Sequence, residues 1–231
     1  MSYVVIEGHD LAGKSTLIKQ VKETLEKSYK NKVFLTSELS RHNSHLKEIY
    51  RKICHDNLSK KEQYELVEES RRISLTELVK PALERGDIVI SDRSFISTMV
   101  YQQSPEFGMQ SILFKTMELY KELGIEIPSV VLLLSVDYET FVERSRNKEL
   151  DAIETRLHNK EIFDKLKEDY RSATIFTQFF NSGMTFVEQP SVKKSVETIV
   201  STIKPVGGWL KADKEVSGVE KYLTQNEVVF S

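Results

Sequence analysis

Short apolar runs alternate along the chain with longer amphipathic stretches. Tyr3, Val4, Val5 and Ile6 form a continuous, largely β-branched run, which predicts a buried strand. Leu17, Ile18, Val21 and Leu25 follow at the spacing of one helical face. Val33-Phe34-Leu35-Thr36 predicts a second strand, and residues 37–43 a polar loop. Residues 44–55 and 60–85 read as helices, with Gly86 where a left-handed residue closes the second. Ile88-Val89-Ile90-Ser91 predicts a third strand that delivers Asp92-Arg93-Ser94 at its carboxyl end. Helical patterns at 96–103 and 111–123 lead, past Gly124, to a strand at 130–135 apolar enough for burial on both faces. Residues 138–145 read as a helix and 146–151 as a charged excursion. A long helix follows, with Ile162, Phe163, Leu166, Tyr170 and Phe176 expected on its buried face and Gly183 at its end. A fifth strand at 184–187 and a last helix at 192–203 complete the pattern.

Strands alternating with helices imply an α/β fold: a five-stranded parallel sheet covered by helices on both sides. Ligand sites in such sheets lie beyond the carboxyl ends of the strands. Gly8, Ser37, Glu38, Asp92, Arg93 and Asp137 all fall at such ends. Pro205 and Gly207-Gly208 mark a break in composition. One domain over 1–204 is therefore expected, with 205–231 as an appendage rich in lysine and glutamate. Its Trp209 and Val228-Val229-Phe230 could dock on the domain or a partner, or stay loosely held.

Chemistry enters at the first strand–helix junction. Gly8-His9-Asp10-Leu11-Ala12-Gly13-Lys14-Ser15, followed by Thr16, satisfies G-x-x-x-x-G-K-[ST], the P-loop pattern. Strand, glycine-bounded loop and helix occur in the order that pattern requires, which predicts a three-layer P-loop NTPase-type fold. The loop N–H groups and the helix N-terminus can cradle phosphate oxygens. Lys14 would reach the β- and γ-phosphates, and the Ser15 hydroxyl would ligate Mg²⁺. Asp92 at the end of a buried strand can order the same ion, and the Arg93 guanidinium can fork onto a second phosphate.

The 231 residues fit one large domain. A net charge of −2 offers no broad field for nucleic acid or an acidic membrane. One cysteine, Cys54, permits no internal disulfide and fits a reducing compartment. The apolar run at 130–134 is too short to span a bilayer. With the P-loop starting at residue 8, no cleavable leader is expected. These features predict a cytoplasmic enzyme with no nucleic-acid or membrane partner.

The motifs resemble those of thymidylate kinases. Glu7-Gly8-His9-Asp10-Leu11-Ala12-Gly13-Lys14-Ser15-Thr16 resembles the family's P-loop. Asp92-Arg93-Ser94-Phe95-Ile96-Ser97-Thr98-Met99-Val100-Tyr101-Gln102 resembles its D-R-[YH]-x-x-S-x-x-A-Y-Q block. Lys80-Pro81-Ala82-Leu83-Glu84-Arg85-Gly86 resembles the end of the preceding helix, and Glu149-Leu150-Asp151-Ala152-Ile153-Glu154 the lid. The likeness runs in the family's order over residues 2–204. It implies phosphoryl transfer from ATP to a deoxynucleoside 5′-monophosphate, dTMP foremost, by a homodimer. It further implies that Asp10 binds the sugar 3′-OH and that Arg93 holds the acceptor phosphate. Arg71 would reach the base, with Ser97, Thr98 and Gln102 nearby, and Tyr101 would crowd the sugar 2′ position. A lid at about 144–154 would bring Arg144, Arg146 and Lys148 over the triphosphate.

Three departures surround the acceptor and the lid. T-R-E-P appears as Thr36-Ser37-Glu38-Leu39, without its arginine; Arg41 is a candidate substitute. The phenylalanine that stacks on thymine falls near Val67. L-D-R-I-E reads Leu150-Asp151-Ala152-Ile153-Glu154. Leu11 also stands where some members carry a P-loop arginine, so a transition-state cation is expected from the lid. Two other readings stay open at this stage. One is a deoxynucleoside kinase, with Glu38 as the base for a 5′-hydroxyl. The other is a non-catalytic nucleotide-binding switch with 205–231 as its output. His42, His45, Cys54 and His55 have no standard zinc spacing, and Asn147-Lys148-Glu149-Leu150 lacks the aspartate of a guanine-reading motif.

Overall fold

The computed structural model describes residues 2–29, 31–150, 152–180, 185–188 and 191–202. Asp151 of the expected lid, Gly183, Met184 and the appendage at 205–231 lie outside the described residues. Five strands form one parallel sheet: β1 (Ser2–Gly8), β2 (Val33–Ser37), β3 (Ile88–Asp92), β4 (Val130–Leu134) and β5 (Thr185–Glu188). Their order across the sheet is β2-β3-β1-β4-β5. β1 is central, buried at every position, and pairs with β3 on one side and β4 on the other.

Alternate strand residues feed two hydrophobic layers, as the period of two requires. Tyr3, Val5, Val89, Val131 and Leu133 face one layer. It contains α3 (Lys60–Ser74), α5 (Phe95–Tyr101), α6 (Met109–Leu123) and α9 (Lys160–Phe180). Val4, Ile6, Ile88, Ile90, Val130 and Leu132 face the other, with α1 (Lys14–Ser28) and α10 (Val192–Thr202). The remaining helices are α2 (Ser44–His55), α4 (Lys80–Glu84), α7 (Tyr138–Ser145) and α8 (Ala152–Arg156).

The expected strands are present with ends shifted by one or two residues: β1 runs past its apolar run at both ends, β4 stops at Leu134, one residue short of 135, and β5 is described over Thr185–Glu188; the helical stretch after 151 is split into α8 and α9. Two differences have physical causes. The helix expected over 60–85 passes through a π-helical stretch, Leu75–Val79, before α4. Pro81 has no N–H for the Glu77 carbonyl, and its ring needs room there; the Lys80 N–H reaches back five residues to Leu75 and widens the turn. Ile162, expected on the buried face of α9, is 44% exposed. The buried stripe is Phe163, Tyr170, Ala173 and Thr177, with Leu166 and Phe176 at its margin, which follows the strict 3–4 spacing that Ile162 breaks. Asp137, at a strand end in the sequence, caps α7 by accepting from the Thr140 N–H at 2.7 Å.

Candidate active site

The carboxyl ends of β1, β2 and β3 bring the predicted chemistry together. Gly8 turns the chain out of β1 at φ 135°, and a Cβ there would stand 2.1 Å from the Leu134 carbonyl oxygen. Only glycine allows that approach of the P-loop to β4. Gly13, at φ 98°, caps α1, while Leu11 sits in the left-handed region at φ 63° without a glycine's freedom. Ala12 is buried under the loop, and Ser15 and Thr16 present exposed hydroxyls on the first turn of α1.

Lys14 curls back across its own loop. Its ammonium donates to the Gly8 and His9 carbonyls, each at 3.0 Å, and lies 3.7 Å from Asp10 Oδ1. Burial and the charge of Arg93 lower its pKa to about 8, against the pull of Asp10, Asp92 and Glu7. His9 contributes its backbone to the loop, and its ring serves packing. Asp10's carbonyl can only accept, so Nδ1–H donates to it at 2.8 Å, and Nε2 accepts from the Val136 N–H at 3.3 Å. The ring is edge-on to Phe163 at 4.9 Å, and burial lowers its pKa to about 4. This neutral imidazole pins the P-loop to the chain between β4 and α7.

Arg93 is the second cation, and its backbone is strained. It holds φ 71°, fixed by its N–H to the Ile6 carbonyl at 2.9 Å and by the Ser91 hydroxyl on its own carbonyl at 2.8 Å. Its Nη1 donates to the Gly8 carbonyl at 3.0 Å, to Tyr170 at 2.5 Å and to Ser97 at 3.3 Å, and its Nη2 to Asp10. The guanidinium lies 5.5 Å over the Tyr101 ring. Lys14 and Arg93 thus meet at the same two acceptors, the Gly8 carbonyl and the Asp10 carboxylate. Burial raises the Asp10 pKa, but Arg93 and Lys14 outweigh it and hold the carboxyl below its usual range.

Asp92 Oδ1 is buried and has no hydrogen-bond partner among the described residues. An unpaired carboxylate oxygen costs roughly 1–3 kcal/mol or more, so its place invites a donor or a cation. Asp92 and the exposed Ser15 hydroxyl offer hard oxygens of the kind that suit Mg²⁺.

The acceptor side differs from the expectation. Arg71 is 2% exposed, and all five of its N–H directions are taken: Nε and Nη2 by Glu38, Nη2 also by Thr98, Nη1 by Glu68 and Thr116. A base can reach Arg71 only by displacing one of them. Thr98 also donates to Glu38 at 3.1 Å, and Gln102 is buried at the end of α5 with its N–H on the Thr98 carbonyl. Val67 is buried in α3, and Ser97 faces Glu7 at 4% exposure. Arg41 stacks over Tyr50 at 4.8 Å on the surface.

Of the three cations expected in a lid, Arg144 is the one with a hydrogen bond to the P-loop among the described residues, donating to the Leu11 carbonyl at 2.8 Å. Lys148 is bound to the buried carboxylate of Glu154, and Arg146 is exposed. Two residues that sequence reasoning passed over also stand in the site, Glu7 and Tyr170. A carboxylate as the last side chain of a fully buried strand was the available signal for Glu7. Tyr170 gave none, since its spacing is that of a core residue.

A lysine and an arginine converging on one carbonyl at the mouth of a P-loop can bring two phosphorylated ligands end to end, as a P-loop phosphotransferase must. The family model of thymidylate kinase matches residues 6–197, and the chain belongs to that family. A thymidylate kinase of Helicobacter pylori strain 26695 is 30% identical over 87% of this chain and 98% of its own length. One from Mycoplasma mobile is 32% identical over 73% of this chain and 81% of its own. The crystal structure of thymidylate kinase from Ehrlichia chaffeensis has the same fold, with a TM-score of 0.61 over 86% of this chain and 98% of that one, at 19% identity.

Proposed function

We propose that this protein transfers the γ-phosphoryl group of ATP to dTMP, giving dTDP and ADP. The observation that carries the reading is the shared anchorage of Lys14 and Arg93 on Gly8 and Asp10. The acceptor phosphate is a near-dianion at neutral pH, with a second pKa of about 6. It needs no strong base, only a cation to hold it against the repelling γ-phosphate. Arg93 would supply that cation, and Lys14 the one on the leaving side. The loop N–H groups, from Gly8 to Thr16, would fix the triphosphate between them. Ser15 and Asp92 would hold Mg²⁺, which would neutralise charge on the β- and γ-phosphates. Tyr101, under the guanidinium, would line the deoxyribose. Arg144 would close the donor side from the lid.

The deoxynucleoside-kinase alternative requires Glu38 as a base, but its Oε1 is committed to Arg71 and Thr98. A coupled ADP-release assay with dTMP and thymidine in parallel tests the choice. Arg93→Ala should lower kcat/KM for dTMP by roughly a hundredfold or more, and Glu38→Gln by far less. Product from thymidine but not from dTMP, with Glu38→Gln nearly inactive, would overturn the reading. We further propose a cytoplasmic homodimer, with one catalytic domain over 1–204 and a lid at about 144–154. Sedimentation equilibrium of the full chain would test the dimer.

A further inference from the structure

The mechanism above makes no use of Glu7, whose side chain is fully buried. The Ser94 hydroxyl donates to Oε1 at 2.7 Å, the Ser97 N–H to Oε1 at 3.3 Å, and the Ser97 hydroxyl to Oε2 at 2.7 Å. A hydroxyl carries one hydrogen. With that of Ser97 directed at Glu7, its oxygen is left to accept. It lies 3.0 Å from the Tyr170 hydroxyl and 3.3 Å from Arg93 Nη1. Tyr170 then directs its own hydrogen at Ser97 and accepts from Arg93 at 2.5 Å. The hydroxyl hydrogens of Ser97 and Tyr170 thus each have one acceptor, and their direction starts at an ionised Glu7. A group that donates at position 7 would turn the Ser97 hydrogen toward Tyr170 and Arg93, against the guanidinium's own N–H. The charged groups acting on Glu7 are Arg93 after β3, Lys14 on α1 and Glu38 after β2; Tyr170 faces it from α9.

We propose that Glu7 is a positioning residue for the acceptor phosphate: through Ser97 and Tyr170 it fixes Arg93 Nη1. Among the described residues Nε has no partner and Nη2 has only Asp10. These two parallel N–H directions form the fork that meets the phosphate. The inference rests on the reading that Arg93 holds that phosphate.

The test is steady-state kinetics of the full chain at pH 7.5 or above, varying dTMP and ATP separately. Burial raises the Glu7 pKa to about 7, so the carboxylate is mostly charged there. Glu7→Gln and the milder Tyr170→Phe should each raise KM for dTMP about tenfold and leave KM for ATP within about twofold. In an Arg93→Ala background Glu7→Gln should add little further loss, because the residue it positions is gone. Equal rises in both KM values, unchanged KM values in both variants, or additive losses in the double variant would overturn the inference alone. A wild type that leaves dTMP unphosphorylated would overturn the functional reading and this inference with it.

Discussion

Two buried ionisable residues stand at the start of the P-loop and respond to acid in opposite senses. His9 is neutral in the fold, with its pKa lowered to about 4 by burial. Its contribution is fully present above its unfolded pKa of about 6.5 and is lost as pH falls toward 4. Glu7, raised to about 7, behaves oppositely. Its burial destabilises the fold above pH 7, and that penalty disappears as pH falls toward the unfolded carboxyl pKa of about 4.5. The two act against each other. Glu7→Gln should therefore melt with a steeper loss of Tm from pH 7 to 4.5 than the wild type; parallel curves would contradict the assignment. Lys14 gives a kinetic counterpart. With its pKa lowered to about 8, it loses its charge in the free enzyme above that pH. kcat/KM for ATP should fall above pH 8, and a plateau extending to pH 10 would refute it. The P-loop was legible because its residues are contiguous in sequence. Glu7, Ser97 and Tyr170 meet from three separate elements, so the direction of their hydrogen bonds had no local signature.

At the level of elements, helix and strand periodicity carried most of the described elements, because β1 and β4 are built on continuous apolar runs and α1 and α6 have clean faces. The π-helical widening before Pro81 could not be read, since it depends on how the backbone relieves one proline. The segment expected to form a lid shows the same limit. Its three cations stand two residues apart, at 144, 146 and 148, yet α7 directs Arg144 to the Leu11 carbonyl while Glu154 on α8 holds Lys148. Arg144→Met should accordingly lower kcat for phosphoryl transfer by about tenfold or more, with smaller effects from Arg146→Met and Lys148→Met. Steady-state kinetics at saturating dTMP would read the order, and a larger loss at Arg146 would reverse it.

Across the whole molecule, stability is centred on β1 and thins toward β5. β1 is buried over seven residues between two paired neighbours. β5 is a four-residue edge strand in which Val187 alone is buried. Native-state hydrogen exchange should find β1 and β4 amides opening only by global unfolding, and β5 amides opening at lower free energy. Equal protection of both would show a sheet that unfolds as one unit. The candidate site draws on this gradient: the P-loop leaves β1 and Arg93 follows β3, beside the centre of the sheet.

Leu11 and Arg93 occupy left-handed backbone without being glycine. Each holds of order 1–3 kcal/mol of strain. At position 11 a glycine would relax the loop at the expense of a more flexible unfolded chain, and the nucleotide would still meet the same backbone. At position 93 the same exchange would remove the guanidinium proposed to hold the acceptor phosphate. Selection for heat resistance can therefore work on one of these strained positions and is barred from the other, so a heat-adapted form of this enzyme should carry its relief at residue 11 and keep its discomfort at residue 93.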